Sequence, residues 1–287
     1  MRPPESLLDR VRAELALPVD PRVSAMAAAV AAAHGDASRA VLFYGSCLRQ
    51  QQLDGLMLDF YLIVSDYRAA YRSRWLAFAN RAVPPNVFPF EHDGLAAKYA
   101  VLSEADFRAR CGMEARDVSV WARFAQPTRL VWARDAAARD AAEHSVARAA
   151  PTLLAWSRPL AAQDAWREGF ARTYGCELRA ERKGRETSIV DLEPERYREF
   201  AALAEVPEVS PADAERAWRR FRRRGKLLSV VRLAKATTTF AGGVDYLAWK
   251  INRHAGTAIV VKPWQRRWPI LGAMVLLPRL LRQGAIR

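Results

Sequence analysis

The sequence predicts a mixed α/β (α+β) protein with three parts. Short apolar runs of β type, separated by turn residues, occupy the first half, and long stretches with helical periodicity follow them. The last forty or so residues combine Arg with Leu and Trp and form a basic, amphipathic C-terminal segment. These changes in pattern place the boundaries at 23–135 for the α/β part, 136–240 for the mainly helical part and 241–287 for the tail.

The elements follow in order along the chain. Residues 5–35 are predicted to be helical, and the prolines at 84 and 85 mark a clear break. Within the α/β part the apolar runs predict five strands, at 40–44, 56–64, 87–90, 95–102 and 129–132, and a helix between the second and the third, at 67–81. Downstream, helical periodicity covers 136–170 and 194–233.

Composition limits the class of partner. The chain has 287 residues, 51% of them hydrophobic, so it can bury a substantial core. Its 45 Lys and Arg against 31 Asp and Glu give a net charge of +14, which favours nucleotides, nucleic acid or anionic membranes over acidic proteins.

The cysteines, the N-terminus and the longest apolar run argue against several classes of protein. Three scattered Cys and four scattered His predict neither a disulfide framework nor a zinc site, and they indicate a reducing compartment. The charged N-terminus is unlike a secretory signal, and the longest apolar run, 269–281, is too short to span a bilayer.

A Gly-Ser pair and an acid are the residues that most clearly indicate a binding site. The first predicted strand ends at Gly45-Ser46, and the second contains Asp59. Gly45 would let the backbone approach a triphosphate closely, and Ser46 would add a hydroxyl and an N–H group. Asp59 would hold Mg²⁺, which prefers carboxylate and phosphate oxygens and stabilises charge on an α-phosphate during displacement of pyrophosphate. Together the two motifs favour nucleotidyl transfer.

Each residue also has a purely structural interpretation. The Gly-Ser pair could be an ordinary turn, and Asp59 could form an ion pair with one of the many Arg side chains. Lys98, between apolar strand neighbours, could contact phosphate or could face solvent on an edge strand. Arg123 could bind phosphate through its planar guanidinium or lie on the surface. Tyr99 is expected to face the core, opposite Lys98.

Three segments resemble one known family. The first segment is similar to the opening of the mitochondrial-type CDP-diacylglycerol synthases, and it consists of Tyr44-Gly45-Ser46, Arg49-Gln50 and Met57-Leu58-Asp59-Phe60. These are the translocator assembly and maintenance family of phosphatidate cytidylyltransferases, with a DNA polymerase β-like nucleotidyltransferase fold. Residues 94–103 resemble that family's Lys-Tyr-Gly-Val-Ile-Ser strand, and residues 122–127 resemble its Ala-Gly-Arg-Leu-x-Lys-Pro stretch.

The resemblance covers about residues 40–130 well and the last third loosely. Residues 232–237 are faintly similar to the family's C-terminal Lys-Gly motif. The sequence departs from the family at Cys47 and Ala100, where glycine is usual. Most polymerase β-like enzymes also have a second acid two residues after the first, where this chain has Tyr61.

The resemblance implies an activity and a set of site residues. The implied reaction transfers CMP from CTP to phosphatidate, with Mg²⁺, to give CDP-diacylglycerol and pyrophosphate. Asp59, Lys98 and Arg123 would be catalytic, the last two by neutralising phosphate charge. The implied nucleotide-binding residues are Gly45, Ser46 and Lys235, and the implied metal ligands are Asp59 and Asp66.

Two alternatives remain open at this point. One is a nucleotidyltransferase that acts on a small molecule, tRNA or a protein hydroxyl. The other is an inactive nucleotide- or nucleic-acid-binding protein, which the absence of an acid at Tyr61 and the Arg-rich run 219–226 would favour.

Two basic stretches predict contacts with anions. Residues 219–226 hold six cations and could contact nucleic acid or a membrane, or could be a solvated helix end. Residues 246–287 contain eight basic residues and no acid, and are predicted to contact an anionic membrane surface, although a helix packed on the core would use the same leucines. We therefore expect a bacterial cytoplasmic protein, peripheral to the inner leaflet, with CTP and phosphatidate as partners and nucleic acid less favoured.

Overall fold

The structure is a computed structural model that describes residues 6–50, 53–157, 161–176, 185–239 and 262–263. Nearly all of the predicted tail, 241–287, and its membrane contact therefore lie outside the described residues. Among the residues that are described, no helix is both long enough and apolar enough to cross a membrane.

A five-stranded mixed sheet forms the centre of the α/β part, so the predicted fold class is confirmed. The strand order is β3–β4–β2–β1–β5; β2 and β4 are parallel, and the other neighbours are antiparallel. Each strand overlaps a predicted one. The strands are β1 (Ser38–Tyr44), β2 (Met57–Val64), β3 (Asn86–His92), β4 (Leu95–Ser103) and β5 (Thr128–Ala133).

Thirteen α-helices and one short 3-10 helix (Gly35–Ala37) are described, and several predicted helices are divided. Residues 5–35 form two helices, because Asp20 caps a new helix that starts at Pro21 and accepts a hydrogen bond from the Arg22 N–H at 2.8 Å. The helices are α1 (Leu7–Leu15), α2 (Pro21–Ala32), α3 (Ser46–Gln50), α4 (Tyr67–Ala70), α5 (Arg74–Ala82), α6 (Glu104–Cys111), α7 (Trp121–Phe124), α8 (Ala136–Ala147), α9 (Ala149–Trp156), α10 (Ala162–Tyr174), α11 (Arg185–Leu192), α12 (Pro194–Leu203) and α13 (Pro211–Thr239).

The two faces of the sheet are covered differently. Helix α2 packs Met26 and Val30 onto one face, against Phe43 and Phe60. The other face carries Leu42, Tyr61 and Leu102 and shares a core with α1 and the helices that follow β5. The described part of the mainly helical region is therefore packed on the sheet, and its α13 reaches the strand ends that hold the candidate site.

Candidate active site

Gly45 brings the end of β1 against Asp59. Strands β1 and β2 are antiparallel, with Tyr44 opposite Asp59, and α3 begins directly after Gly45. Gly45 has φ +97°, and a Cβ atom added there would lie 3.0 Å from Oδ2 of Asp59. Both the backbone conformation and the lack of space require glycine at this position.

Asp59 forms an ion pair with the neighbouring strand. In the parallel pairing of β2 with β4, Asp59 lies opposite Lys98, and Lys98 Nζ is 2.7 Å from Asp59 Oδ1. The two side chains keep 26% (Lys98) and 19% (Asp59) of their surface exposed. Asp59 therefore does form an ion pair, but its partner is Lys98 and not one of the arginines. The same pair also aligns a carboxylate and an ammonium at one edge of the sheet.

A pocket of about 170 Å³ lies beside this pair. All four charged residues among its described lining are cations, and they come from β4, α7 and α13. The cations are Lys98, Arg123, Arg232 and Lys235, and the other described lining residues are Tyr44, Phe60, Tyr61, Pro85, Val87, Ala100 and Ser119. The structure therefore brings the predicted Lys98, Arg123 and Lys235 to one pocket, together with Arg232. Such a cluster suits an anion with several charged oxygens.

Arg123 is held in place at the wall of this pocket. Its guanidinium donates to the backbone carbonyl of Ser119 and to the Tyr44 hydroxyl. Burial, followed by the nearby Asp59 and Tyr61, raises the pKa of Tyr44 well above its ordinary value. Tyr44 consequently remains a neutral phenol at physiological pH and can serve as a hydrogen-bonding group, not as a base.

Helix α13 supplies two cations three residues apart. Lys235 Nζ donates to the Val83 carbonyl and, at 2.8 Å, to the Pro85 carbonyl. Arg232 Nε donates to the Pro84 carbonyl at 3.0 Å, and Arg232 Nη2 lies 3.3 Å from Asp117 Oδ2. These bonds join the helical region to the turn between α5 and β3, so the pocket contains groups from both predicted parts of the chain.

The charge state of Lys235 depends on its surroundings. Burial, followed by the positive charges of Arg232 and Arg110, lowers the pKa of Lys235 to about 7. Burial would raise the pKa of Asp117, but Arg232, Ser119 and Arg110 together lower it below its ordinary value. Asp117 is thus a buried carboxylate that balances part of the positive charge of the neighbouring arginines. An anion bound in the pocket would favour the charged form of Lys235.

Asp66 is not brought to the same place as Asp59. The two lie seven residues apart along β2 and just past its end, which is roughly 23 Å at the rise of an extended strand. Asp66 caps α4 and accepts hydrogen bonds from the N–H groups of Arg68 and Ala69. This capping role accounts for an acid at that position.

Among the described residues at this end of the strands, Asp59 is the carboxylate that could bind a metal. Tyr61 is buried between Tyr44 and Phe124, with ring centroids 5.4 and 5.2 Å away. No group of three or more His, Cys, Asp or Glu suited to a metal occurs in the described part of the chain. A Mg²⁺ ion bound by Asp59 would take its remaining ligands from water and substrate phosphates, which is a common arrangement for this ion.

Two larger cavities, of about 610 and 630 Å³, lie among the helices. Their described lining shares no residue with the 170 Å³ pocket. We place the site by its chemistry, because the smaller pocket is lined by the four cations, and one of them, Lys98, contacts the Asp59 carboxylate beside Gly45.

Sequence reasoning did not select Arg232, Tyr44 or Asp117 as site residues. In the sequence, Arg232 belongs only to the faintly similar C-terminal motif, although its spacing of three from Lys235 places both on one side of a helix. Tyr44 belongs to the motif at Gly45, but its residue type alone indicates no role there. Asp117 carries no pattern of its own, because its significance depends on three-dimensional contacts with Arg232 and Arg110.

Comparisons with known proteins give a fold neighbour only. No protein-family model matches the chain, and no curated protein matches it significantly. Among solved structures, it is similar to a nucleotidyltransferase-like protein from Exiguobacterium sibiricum 255-15, at 10% identity and a TM-score of 0.30, over 91% of this chain and 92% of that chain. Both values are low, so function must be argued from the residues of the site.

Proposed function

We propose that this chain is a nucleotidyltransferase that transfers a nucleotide from a nucleoside triphosphate to an acceptor and releases pyrophosphate. The observation that supports this most is the meeting of three features at one edge of the sheet. These are the glycine turn at Gly45, the Asp59–Lys98 pair and the pocket lined by four cations.

Each feature has a role in this reaction. The backbone at Gly45 and Ser46 would approach the triphosphate at a position where a side chain would crowd Asp59. Lys98, Arg123, Arg232 and Lys235 neutralise the phosphates and orient them for in-line displacement. Asp59 would hold Mg²⁺, which when bound offsets charge on the α-phosphate. Because Lys98 contacts the same carboxylate, it already supplies one cation at this point.

The finer proposal is a phosphatidate cytidylyltransferase that makes CDP-diacylglycerol from CTP and phosphatidate. A phosphate monoester is already ionised near neutral pH, so its attack on the α-phosphate needs positioning and charge neutralisation but no general base. The described pocket fits that requirement, since its charged lining residues are all cations and Tyr61 occupies the position of a second acid. The choice of cytosine and of the lipid comes from the family resemblance.

The test measures pyrophosphate release by the full-length protein with Mg²⁺ and each of the four nucleoside triphosphates, with and without phosphatidate vesicles. We expect release only with CTP and phosphatidate. Asp59→Asn, which keeps the shape of the side chain, should lower the rate by roughly 10³-fold, because the metal-binding charge is lost.

Asp66→Asn is the matched control, since it removes a carboxylate beyond the other end of the same strand and should leave activity near the wild-type level. Equal loss in both variants would contradict the placement of the metal at Asp59. Release without lipid would overturn phosphatidate as the acceptor and favour a small molecule, tRNA or protein. No release with any triphosphate would overturn phosphatidate as the acceptor, and no release after bulk tRNA, protein and a small-molecule extract are also added would overturn the enzymatic proposal and leave an inactive binding protein.

A further inference from the structure

Helix α5 exposes two aromatic side chains. Trp75 and Phe78 are 64% and 63% exposed, and their ring centroids are 5.9 Å apart. They are the exposed large aromatics of the described part of the chain, since the other large hydrophobics exposed there are aliphatic. Two adjacent aromatic rings in water are unfavourable and indicate a contact surface.

The opposite side of α5 is firmly attached to the sheet. Ala77, Ala79 and Asn80 are buried. The Asn80 amide donates to the Val101 carbonyl at 2.9 Å and accepts a hydrogen bond from the Asn86 N–H. The aromatic side chains therefore project from a helix fixed on its inner side, and their exposure does not come from a detached segment.

The surroundings of the two rings are positively charged. Four exposed arginines flank them, and no acid occurs between residues 67 and 90. We call Trp75, Phe78 and these arginines the α5 patch. The arginines are Arg68, Arg72, Arg74 and Arg81.

The α5 patch is also close to the candidate site. Helix α5 ends at Ala82 and continues into the turn at Val83–Pro85, whose carbonyls accept hydrogen bonds from Lys235 and Arg232. Phe78 precedes Val83 by five residues, or about 7.5 Å along a helix. Pro85 itself lines the pocket.

We infer that the α5 patch is a docking surface for an anionic lipid bilayer. Indole and phenyl rings partition into the boundary between headgroups and acyl chains, and arginines bind anionic headgroups. The four exposed arginines, in a stretch of sequence without acids from 67 to 90, supply the charge complementarity. Docking here would place a membrane surface about one helix length from Lys235 and Arg232, so a lipid headgroup could enter the pocket while its chains stay in the bilayer. Only this last step, the identity of the acceptor, rests on the proposed function.

The test uses the full-length chain and sedimentation with vesicles of phosphatidylcholine alone or mixed with phosphatidylglycerol. Neither CTP nor phosphatidate is present, so failure of docking is measured separately from failure of catalysis. We expect preference for the mixed vesicles and a loss of affinity of roughly tenfold or more in the W75A/F78A variant. The control L17A/L192A removes two other exposed apolar side chains and should bind like the wild type.

A second measurement reports Trp75 itself and so separates the α5 patch from residues 246–287. Brominated acyl chains should quench a fluorescence component that is present in the wild type and missing in Trp75→Phe. Replacing Arg72, Arg74 and Arg81 by Gln should weaken binding to the anionic vesicles by roughly fivefold for each residue.

Three results would overturn the proposal. The first is equal vesicle binding by the wild type and W75A/F78A, and the second is the absence of quenching from Trp75. The third is a wild-type dimer in solution that W75A/F78A converts to a monomer, because the α5 patch would then be an interface between two copies of this chain.

Discussion

Two regions of this molecule bury charge, and they balance it differently. Between α1 and α12, Arg196 donates to both Glu14 carboxylate oxygens, at 2.6 and 2.9 Å, and to the Ala125 carbonyl at 3.0 Å. Its guanidinium also lies over the ring of Phe200, 4.1 Å from the centroid. Two donor nitrogens of Arg196 bind the one carboxylate and the third binds a carbonyl, while Arg10 lies 3.8 Å from the same carboxylate.

At the candidate site, cations outnumber carboxylates among the described residues. Lys98, Arg123, Arg232 and Lys235 line the pocket, and no acid is among its described lining; Lys98 contacts Asp59 and Arg232 contacts Asp117 outside that lining. Burying an excess of one sign costs free energy unless an opposite charge arrives. Comparison of the two regions indicates that the balanced pair serves the fold, whereas the excess positive charge at the pocket is suited to a bound polyanion.

Arg196→Met should give the largest change, in stability. It leaves Glu14 buried without its hydrogen-bonded partner, since Arg10 lies 3.8 Å away, and should lower the free energy of unfolding by about 3–5 kcal/mol. Chemical denaturation of the two proteins measures the difference. The control is Arg167→Met, which breaks an exposed pair with Asp191 and should change the free energy of unfolding far less. Similar costs for the two variants would remove the distinction between a buried structural pair and a surface pair.

Gly45→Ala should affect the site more than the fold. The variant must adopt φ +97° and place its methyl group against Asp59, so we expect kcat/KM to fall roughly 10- to 100-fold in addition to a destabilisation of about 1 kcal/mol. Gly94→Ala is a matched control, since Gly94 also has positive φ (+72°) but open space around the added methyl. It should show the destabilisation without the loss of activity. Equal activity of the two variants would argue against a substrate near Gly45.

The strands were predictable because each is a short apolar run ended by turn residues, as with Leu95–Ser103 after the turn at Gly94. The bounds of the helices were harder to predict. The predicted helix at 67–81 is divided because the chain is extended between α4 and α5, at Tyr71 and Ser73. Such breaks depend on local caps and packing that helical periodicity does not record.

For the site, the sequence supplied the residue types but not their pairing. Gly45 and Asp59 follow from one local pattern, whereas the contact of Asp59 with Lys98 depends on the register of two strands that are distant in sequence. The separation of Asp66 from Asp59 could have been foreseen, because seven residues of extended chain exceed the size of a metal site. The presence of Arg232 at the site could not be predicted, because it depends on where α13 packs.

Lys235 gives the smallest and most specific expected effect, a change in the pH dependence of triphosphate binding. Its pKa is lowered to about 7, so its ammonium is present below that pH and is lost as the pH rises through it. The affinity of the wild type for CTP should therefore fall above neutral pH, by up to roughly tenfold, relative to Lys235→Arg, which stays charged. Dividing the dissociation constants of the two proteins at each pH cancels the ionisation of the triphosphate itself. Lys235→Met should bind weakly throughout and show no such step. If the ratio of the two dissociation constants stays constant across neutral pH, the charge of Lys235 does not stabilise the bound nucleotide. The positive charge that binds the triphosphate would then have to come from Lys98, Arg123 and Arg232.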